Sequence, residues 1–390
     1  MVVAAAERLL PKSFKGRLDL TLPSGRKVTL GGTEPGEQAD LTLHNFKVLW
    51  ASLRRAQLGF FERYMAGDIE SSNPTAFFRF YLQNRHGLDT AGGFFTSSFF
   101  DKIWHRLRDN NRKGSRENIS AHYDLGNEFY KCWLDDTMSY SSAIFDGKAN
   151  SLESAQTLKY QHVLEAAEVK PGAKVLEIGC GWGGFAEMAA KAGASLKGIT
   201  LSTEQLAFAK ERMAREKLDS HVELVIEDYR DTKGAFDAIA SIEMIEAVGE
   251  PHWPVYFKTL FDRLKPGRAA AVQGITILEE NYPAYRAGVD FIQRYVFPGG
   301  MLLTKEIIRD QAQKAGLLLE KFECFGQSYA ETLRQWRVRF EAAWPKIKPL
   351  GFDERFKRLW TLYLCYCEAG FAEGIIDVGI YKIRKPQASA

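Results

Sequence analysis

Cysteine is scarce in this chain, with five residues in 390, at positions 132, 180, 324, 365 and 367. Cys365 and Cys367 stand two apart, but no second pair or nearby histidine lies at zinc spacing, so no metal framework is expected. Reduced thiols in a reducing compartment are the natural reading. Long apolar runs are missing: none reaches the ~18–20 residues that span a bilayer. The opening MVVAAAERLLPKSFKGR turns charged after a few residues, without the basic start and long apolar stretch of a secretory signal. A cytoplasmic protein is expected, soluble or peripheral to the inner face of the membrane. Net charge is small, 52 − 49 = +3, which excludes an argument for nucleic acid from charge alone. Repeats and low-complexity tracts are absent. What is present is an ordinary globular balance, 45% apolar and 26% charged. This excludes a disordered chain, a collagen-like fibre and a disulfide-stapled mini-protein. The length suits two or three domains.

Three zones follow from the pattern. Residues 1–85 open with alternating segments, Arg17–Leu22 and Lys27–Leu30 around a Pro23-Ser24-Gly25 turn, which predict a hairpin. Asp40–Leu43 predicts a further strand, and Asn45–Ala66 a helix. Residues 86–117 form a connector in which Phe94, Phe95, Phe99 and Phe100 precede six Lys/Arg and one Asp over 102–116. Aromatic residues beside basic ones suit anionic lipid headgroups, and a packed helix with a solvated basic face is the plain alternative. From 118 to 390, short apolar runs at 174–178, 196–200, 222–226, 236–242 and 269–273 alternate with helical stretches. That spacing predicts βαβ units and a parallel, doubly wound sheet, with ligands at the carboxyl ends of its strands.

One turn in that sheet carries chemistry. Val175-Leu176-Glu177-Ile178-Gly179-Cys180-Gly181-Trp182-Gly183-Gly184 runs from strand through glycine-rich turn into helix. Glycines let the backbone approach a ligand closely. The spacing is Gly-x-Gly-x-Gly, not that of a dinucleotide fold. Glu177 would repel phosphate and suits a cationic or amino-bearing ligand. The pattern resembles the first motif of class I S-adenosylmethionine (SAM) methyltransferases, and a plain glycine-rich turn is the alternative.

Further motifs narrow the resemblance. Thr200-Leu201-Ser202-Thr203-Glu204-Gln205 stands where an acidic residue usually closes the second strand. This element is similar to that of cyclopropane-fatty-acyl-phospholipid synthases and mycolic acid methyltransferases. So are His122–Asn127, Met138–Ala143, Glu227–Asp231 and Tyr295–Gly300, in order across residues 118–384. The resemblance implies a Rossmann-like α/β class I methyltransferase domain. It also implies a smaller α+β amino-terminal domain that associates with lipid or membrane. SAM is then expected at Tyr140, Ser141, Glu177, Gly179, Cys180, Gly181, Gly183, Thr200, Leu201, Ser202, Gln205, Asp228 and Tyr229. Gln205 and Thr200 suit ribose hydroxyls, Asp228 an adenine amino group, and Tyr140 a sulfonium cation. Asp228 and Tyr229 capping a helix, and Tyr140 in a core, are the structural alternatives.

The family's reaction transfers a methyl group to a cis double bond in a phospholipid acyl chain, leaving a carbocation from which a base removes a proton. Loss from the new methyl closes a cyclopropane; loss from the chain gives an alkene. The resemblance implies bicarbonate as that base, held by a Cys, a Glu, a His, an Ile backbone and a Tyr. These fall here on Ser142, Glu246, Gln273, Ile275 and Tyr329. Two of the five have therefore changed, and the titratable imidazole is gone. The Glu243–Gly249 and Gln273–Thr276 version resembles a sub-branch tied to methyl-branched and furan fatty acids. A methylene or methyl-branched product is expected, ring formation is the alternative, and a non-catalytic lipid-binding protein the alternative of a different class. Cys367 matches a carboxy-terminal cysteine treated as an active-site position, with a buried packing thiol as the alternative. The resemblance further implies a homodimer and an oxidoreductase partner that processes the product.

Overall fold

A computed structural model describes residues 13–89, 125–149 and 151–387. Most of the basic, Phe-rich connector and the start of the His122–Asn127 motif lie outside the described residues. The chain divides into two units.

The first unit holds residues 13–89, Pro283–Val296 and Leu333–Ile375. Its sheet has the order β2-β1-β3-β4, from β1 (Lys15–Thr21), β2 (Lys27–Gly31), β3 (Glu34–Leu43) and β4 (Ile69–Glu70). The expected hairpin is there, with β1 antiparallel to β2 and Leu20 opposite Val28. Strand β3 then returns parallel to β1. Helices Lys47–Met65 and Pro74–Asp89 follow. Their inner faces are aromatic. Phe61 stacks on Phe291 at 4.4 Å and meets Tyr366 edge-on at 5.5 Å. Thr75 donates to Glu368 at 3.1 Å, and Arg79 pairs with Glu373 at 2.7 Å. These contacts draw residues 283–296 and 333–375 into this unit, so the expected continuous domain over 118–390 is interrupted twice. Periodicity along the chain reports which face a helix buries, not which distant partner covers it.

The second unit holds residues 125–282, Phe297–Thr332 and 376–387. Its strands are β5 (Lys174–Ile178), β6 (Ser195–Thr200), β7 (Val222–Ile226), β8 (Phe236–Ile242), β9 (Leu264–Ile277), β10 (Leu318–Cys324) and β11 (Ile376–Arg384). The sheet order is β10-β11-β9-β8-β5-β6-β7. Strands β5 to β9 are mutually parallel, as expected from the alternation. Strand β11 runs antiparallel to both β9 and β10. Central strands are apolar and small: Val175, Leu176, Ala238, Ile239, Ala240 and Ala269 to Val272 are fully buried. That is what a sheet covered by helices on both faces requires. Phe185, Ala186 and Ala189 of helix Gly184–Lys191 pack into the same core as Val163 of helix Leu152–Ala166.

Candidate active site

Strand β5 carries Glu177 to the carboxyl edge of the sheet and passes into the glycine turn. Gly179, Gly181 and Gly183 have φ of 85°, 51° and 82°, a region that side-chain-bearing residues avoid. The turn is fixed to β6, because the N–H groups of Gly179 and Cys180 both donate to the Ile199 carbonyl at 3.0 Å. A Cβ on Gly181 would meet no atom within 4 Å, so the turn faces open space there. A cavity at this edge brings together Tyr140, Ser141, Glu177, Gly179, Cys180, Gly181 and Gln205, with Met138, Trp182 and Glu243 beside them. Glu177 is buried, and its Oε2 has no hydrogen-bond partner. Burial pushes this carboxyl well above its usual range, with the Lys159 ammonium acting the other way. Burial brings the Lys159 amine down to about 8, opposed by Glu243, Asp135 and Glu177. Its Nζ donates to Ser141 Oγ at 2.7 Å.

The segment after β6 holds itself in shape. Ser202 caps helix Thr203–Arg215 by accepting from the Gln205 N–H at 3.2 Å. Thr200 Oγ1 donates to Gln205 Oε1 at 3.1 Å. This turns the buried Gln205 amide toward the cavity with its NH2 available. Leu201 lies between these residues, half-buried. Asp228 follows β7 and acts as a cap, accepting from the Arg230 N–H at 3.0 Å; its carboxylate also pairs with the Arg230 side chain at 2.7 and 2.8 Å. The capping alternative for Asp228 is therefore realised. Tyr229 packs edge-on against Tyr256 at 5.7 Å; its hydroxyl, buried without a partner, is pushed up to about 12 by desolvation. Tyr140 sits among aromatic rings, 5.3 Å from Tyr130 and 6.4 Å from Phe297.

A second group of polar residues gathers where β8 ends and β9 passes. Glu243 is the first residue after β8, with φ of 49°. Three donors converge on its carboxylate. The Ser142 N–H lies 2.7 Å from Oε1, Gln273 Nε2 lies 2.7 Å from Oε1, and the Tyr329 hydroxyl lies 2.7 Å from Oε2. Ser142 contributes through its backbone, since its hydroxyl donates to the Ala143 carbonyl at 2.9 Å. Neighbouring bonds fix the segment: Ala143 N–H to Thr332 Oγ1 at 3.2 Å and Phe145 N–H to Ser328 Oγ at 3.0 Å. Glu246 accepts from the Ile275 N–H at 2.5 Å through Oε1, and its Oε2 is buried without a partner. Burial raises both carboxyls, and the Glu243 charge helps bring Glu246 to about 8.

Three of the expected catalytic residues, Ser142, Gln273 and Tyr329, thus converge on Glu243, which the sequence reading did not single out, while Ile275 donates to Glu246. The signal was available as two glutamates three apart directly after an apolar strand. Lys159, which donates to the cavity residue Ser141, was also missed. Cys367 belongs to the first unit, on helix Glu354–Ala372, where burial and the nearby Asp290 push its thiol above its usual range.

Known proteins share this fold. The sequence profile described as mycolic acid cyclopropane synthetase matches residues 110–381. The chain belongs to that family. It is 37% identical over 384 residues to the tuberculostearic acid methyltransferase of Mycobacterium tuberculosis, covering 96% of this chain and 90% of that one. It is 35% identical over 370 residues to the cyclopropane-fatty-acyl-phospholipid synthase of Escherichia coli, covering 91% and 89%. Among solved structures, a cyclopropane synthase from Mycobacterium tuberculosis matches with a TM-score of 0.64 at 27% identity, over 69% of this chain and 97% of that one. A mycolic acid cyclopropane synthase complexed with SAH and CTAB matches with a TM-score of 0.65 at 26% identity, over 69% and 98%. As a cyclopropane synthetase family member, the chain is a SAM-dependent enzyme of lipid acyl chains with the α/β methyltransferase fold.

Proposed function

We propose that the protein is a C-methyltransferase for the double bond of unsaturated phospholipid acyl chains, with a methylene or methyl-branched product. The observation that carries this reading is the pairing of a SAM-compatible cradle with two buried carboxylates at one sheet edge. The residues present suit SAM: an unpartnered Glu177 oxygen for its amino or hydroxyl groups, a glycine turn open to a ligand, and the available NH2 of Gln205. When bound, SAM supplies an electrophilic methyl group. Tyr140 places an aromatic face beside the cavity, suited to a cation. The glutamates suit proton removal from a cationic product, because a buried carboxylate is a stronger base than an exposed one. The absence of imidazole among the groups on Glu243 favours a product other than the ring, and the name of the tuberculostearic acid relative agrees with it. Ring closure remains the second reading, favoured by the name of the Escherichia coli relative.

Among the described residues no helix is long and apolar enough to cross a membrane. The reading places the protein at the inner membrane face by a patch on helix Lys47–Met65. Phe46, Leu49, Trp50 and Leu53 recur at helical spacing and are exposed, Trp50 by 70% and Leu53 by 79%. Exposed Lys47 and Arg54 flank them, which suits anionic headgroups. A homodimer and an oxidoreductase partner belong to this reading on the family resemblance alone.

The test is NMR and mass spectrometry of lipids from a host that expresses the chain and is fed methyl-labelled methionine. A labelled vinylidene or branched-methyl signal is expected. A labelled cyclopropane signal would replace the product assignment with the ring, and unlabelled lipid would end the proposal.

A further inference from the structure

Bicarbonate, the base that the family resemblance implies, does not fit this chain. Three of the five groups expected to hold it, the Ser142 segment, Gln273 and Tyr329, already point at the two oxygens of Glu243. The remaining backbone group, Ile275 N–H, is engaged by Glu246. A free anion in that place would lie against a carboxylate and find its donors taken. We propose that the Glu243 carboxylate is itself the proton acceptor of the reaction, so that catalysis by this chain is independent of bicarbonate.

The proposal rests on the methyl-transfer reading above. Methyl transfer to the alkene uses the π pair for the new C–C bond and leaves a cation on the neighbouring carbon. Glu243 then takes a proton from the transferred methyl or from the chain. The C–H electron pair left behind forms the last bond of the product, and the carboxylate becomes a carboxylic acid. Glu243 is built for this. It lines the cofactor cavity, and the three groups that donate to its oxygens, the Ser142 N–H, the Gln273 amide and the Tyr329 hydroxyl, are neutral, with the Lys159 ammonium acting on it without such a bond. Neutral donors orient a carboxylate without the strong loss of basicity that a contacting cation causes. Its left-handed backbone is a cost that persists where the side chain is held for a purpose. Glu246, with one free buried oxygen and a carboxyl raised by Glu243, is the adjacent group able to hold the proton on its way to solvent.

The same backbone makes a clean test. Glycine adopts φ near 49° readily, so Glu243→Gly keeps the turn and leaves a carboxylate-sized space facing three donors. Purified protein is given vesicles of unsaturated phosphatidylglycerol and methyl-labelled SAM, in CO2-stripped buffer and with added bicarbonate. Wild type is expected to label lipid equally in both. Glu243→Gly is expected to fall roughly a hundredfold or more in stripped buffer and to recover with bicarbonate. Glu243→Gln, whose amide still fills the space, is expected to fall and stay low. Calorimetric SAH binding, retained in both variants, separates loss of chemistry from loss of fold. Wild type that needs bicarbonate, a Glu243→Gly variant that keeps its rate without it, or one that bicarbonate does not restore would each overturn the proposal while wild type still labels lipid. Wild type that labels no lipid in either buffer would overturn the methyl-transfer reading, and this inference with it.

Discussion

Two glutamates three residues apart have opposite surroundings. Both oxygens of Glu243 accept hydrogen bonds, whereas Glu246 has one bonded and one bare oxygen. The consequence for Glu246 is a carboxyl raised from 4.5 to about 8, through burial first and the Glu243 charge second. Its folded pKa lies above its unfolded one, so the folded chain holds the proton through that interval. This contribution to stability is complete below pH 4.5 and is lost as pH rises through about 8. Glu246→Gln is therefore expected to flatten the decline in urea midpoint between pH 5 and pH 9. A variant whose midpoint falls as steeply as wild type would assign the raised carboxyl elsewhere. Glu243 escaped the sequence reading for a related reason: a carboxylate's donors come from β9, the Ser142 segment and helix Gly326–Ile347, which nothing local in the sequence brings together. Asp228 shows the reverse, because its Arg230 partner two residues away was there to be read.

At the scale of elements, the strands and the glycine turn were legible because their signals are local. Short apolar runs marked β5 to β8 to within one residue of their observed ends and the middle of the longer β9. The reversed β11 was not, since direction within a sheet depends on pairing and not on composition. Ser202 ties one of these elements to the site, as it caps the helix that bears Gln205. Ser202→Ala is expected to cost about 1 kcal/mol, read as a lower urea midpoint, and to weaken SAH binding by loosening Gln205. Unchanged midpoint and affinity would mean that the cap is incidental. Gly181→Val adds a branched side chain at φ of 51°, on a turn that faces open space. Backbone strain of about 1–2 kcal/mol and intrusion on the cavity are expected to reduce SAH affinity roughly tenfold or more. Calorimetry that finds wild-type affinity would move the cofactor away from this turn.

Across the whole molecule, the first unit collects residues that the sequence pattern left with the methyltransferase domain. The aromatic contacts of Phe61 with Phe291 and Tyr366 tie segments more than two hundred residues apart. The exposed Trp50 and Leu53 belong to the same unit and set its expected partner. Trp50→Glu with Leu53→Glu is expected to reduce sedimentation with anionic vesicles several-fold and to leave SAH affinity unchanged. Equal sedimentation would remove that helix from membrane attachment.

Strand β11 also fixes a point in the life of the chain. It lies between β9 and β10, with Ile380 paired to Gln273. A ribosome that has delivered everything through Ile375 therefore carries a sheet with a slot in its middle and two unpaired strand edges, which are sticky. The strand bearing Gln273 gains its second neighbour only when residues 376–384 emerge. The nascent enzyme is thus expected to stay silent toward lipid until those residues have been added, and a nonsense codon just before Ile376 to yield an aggregating product and not a weakened catalyst.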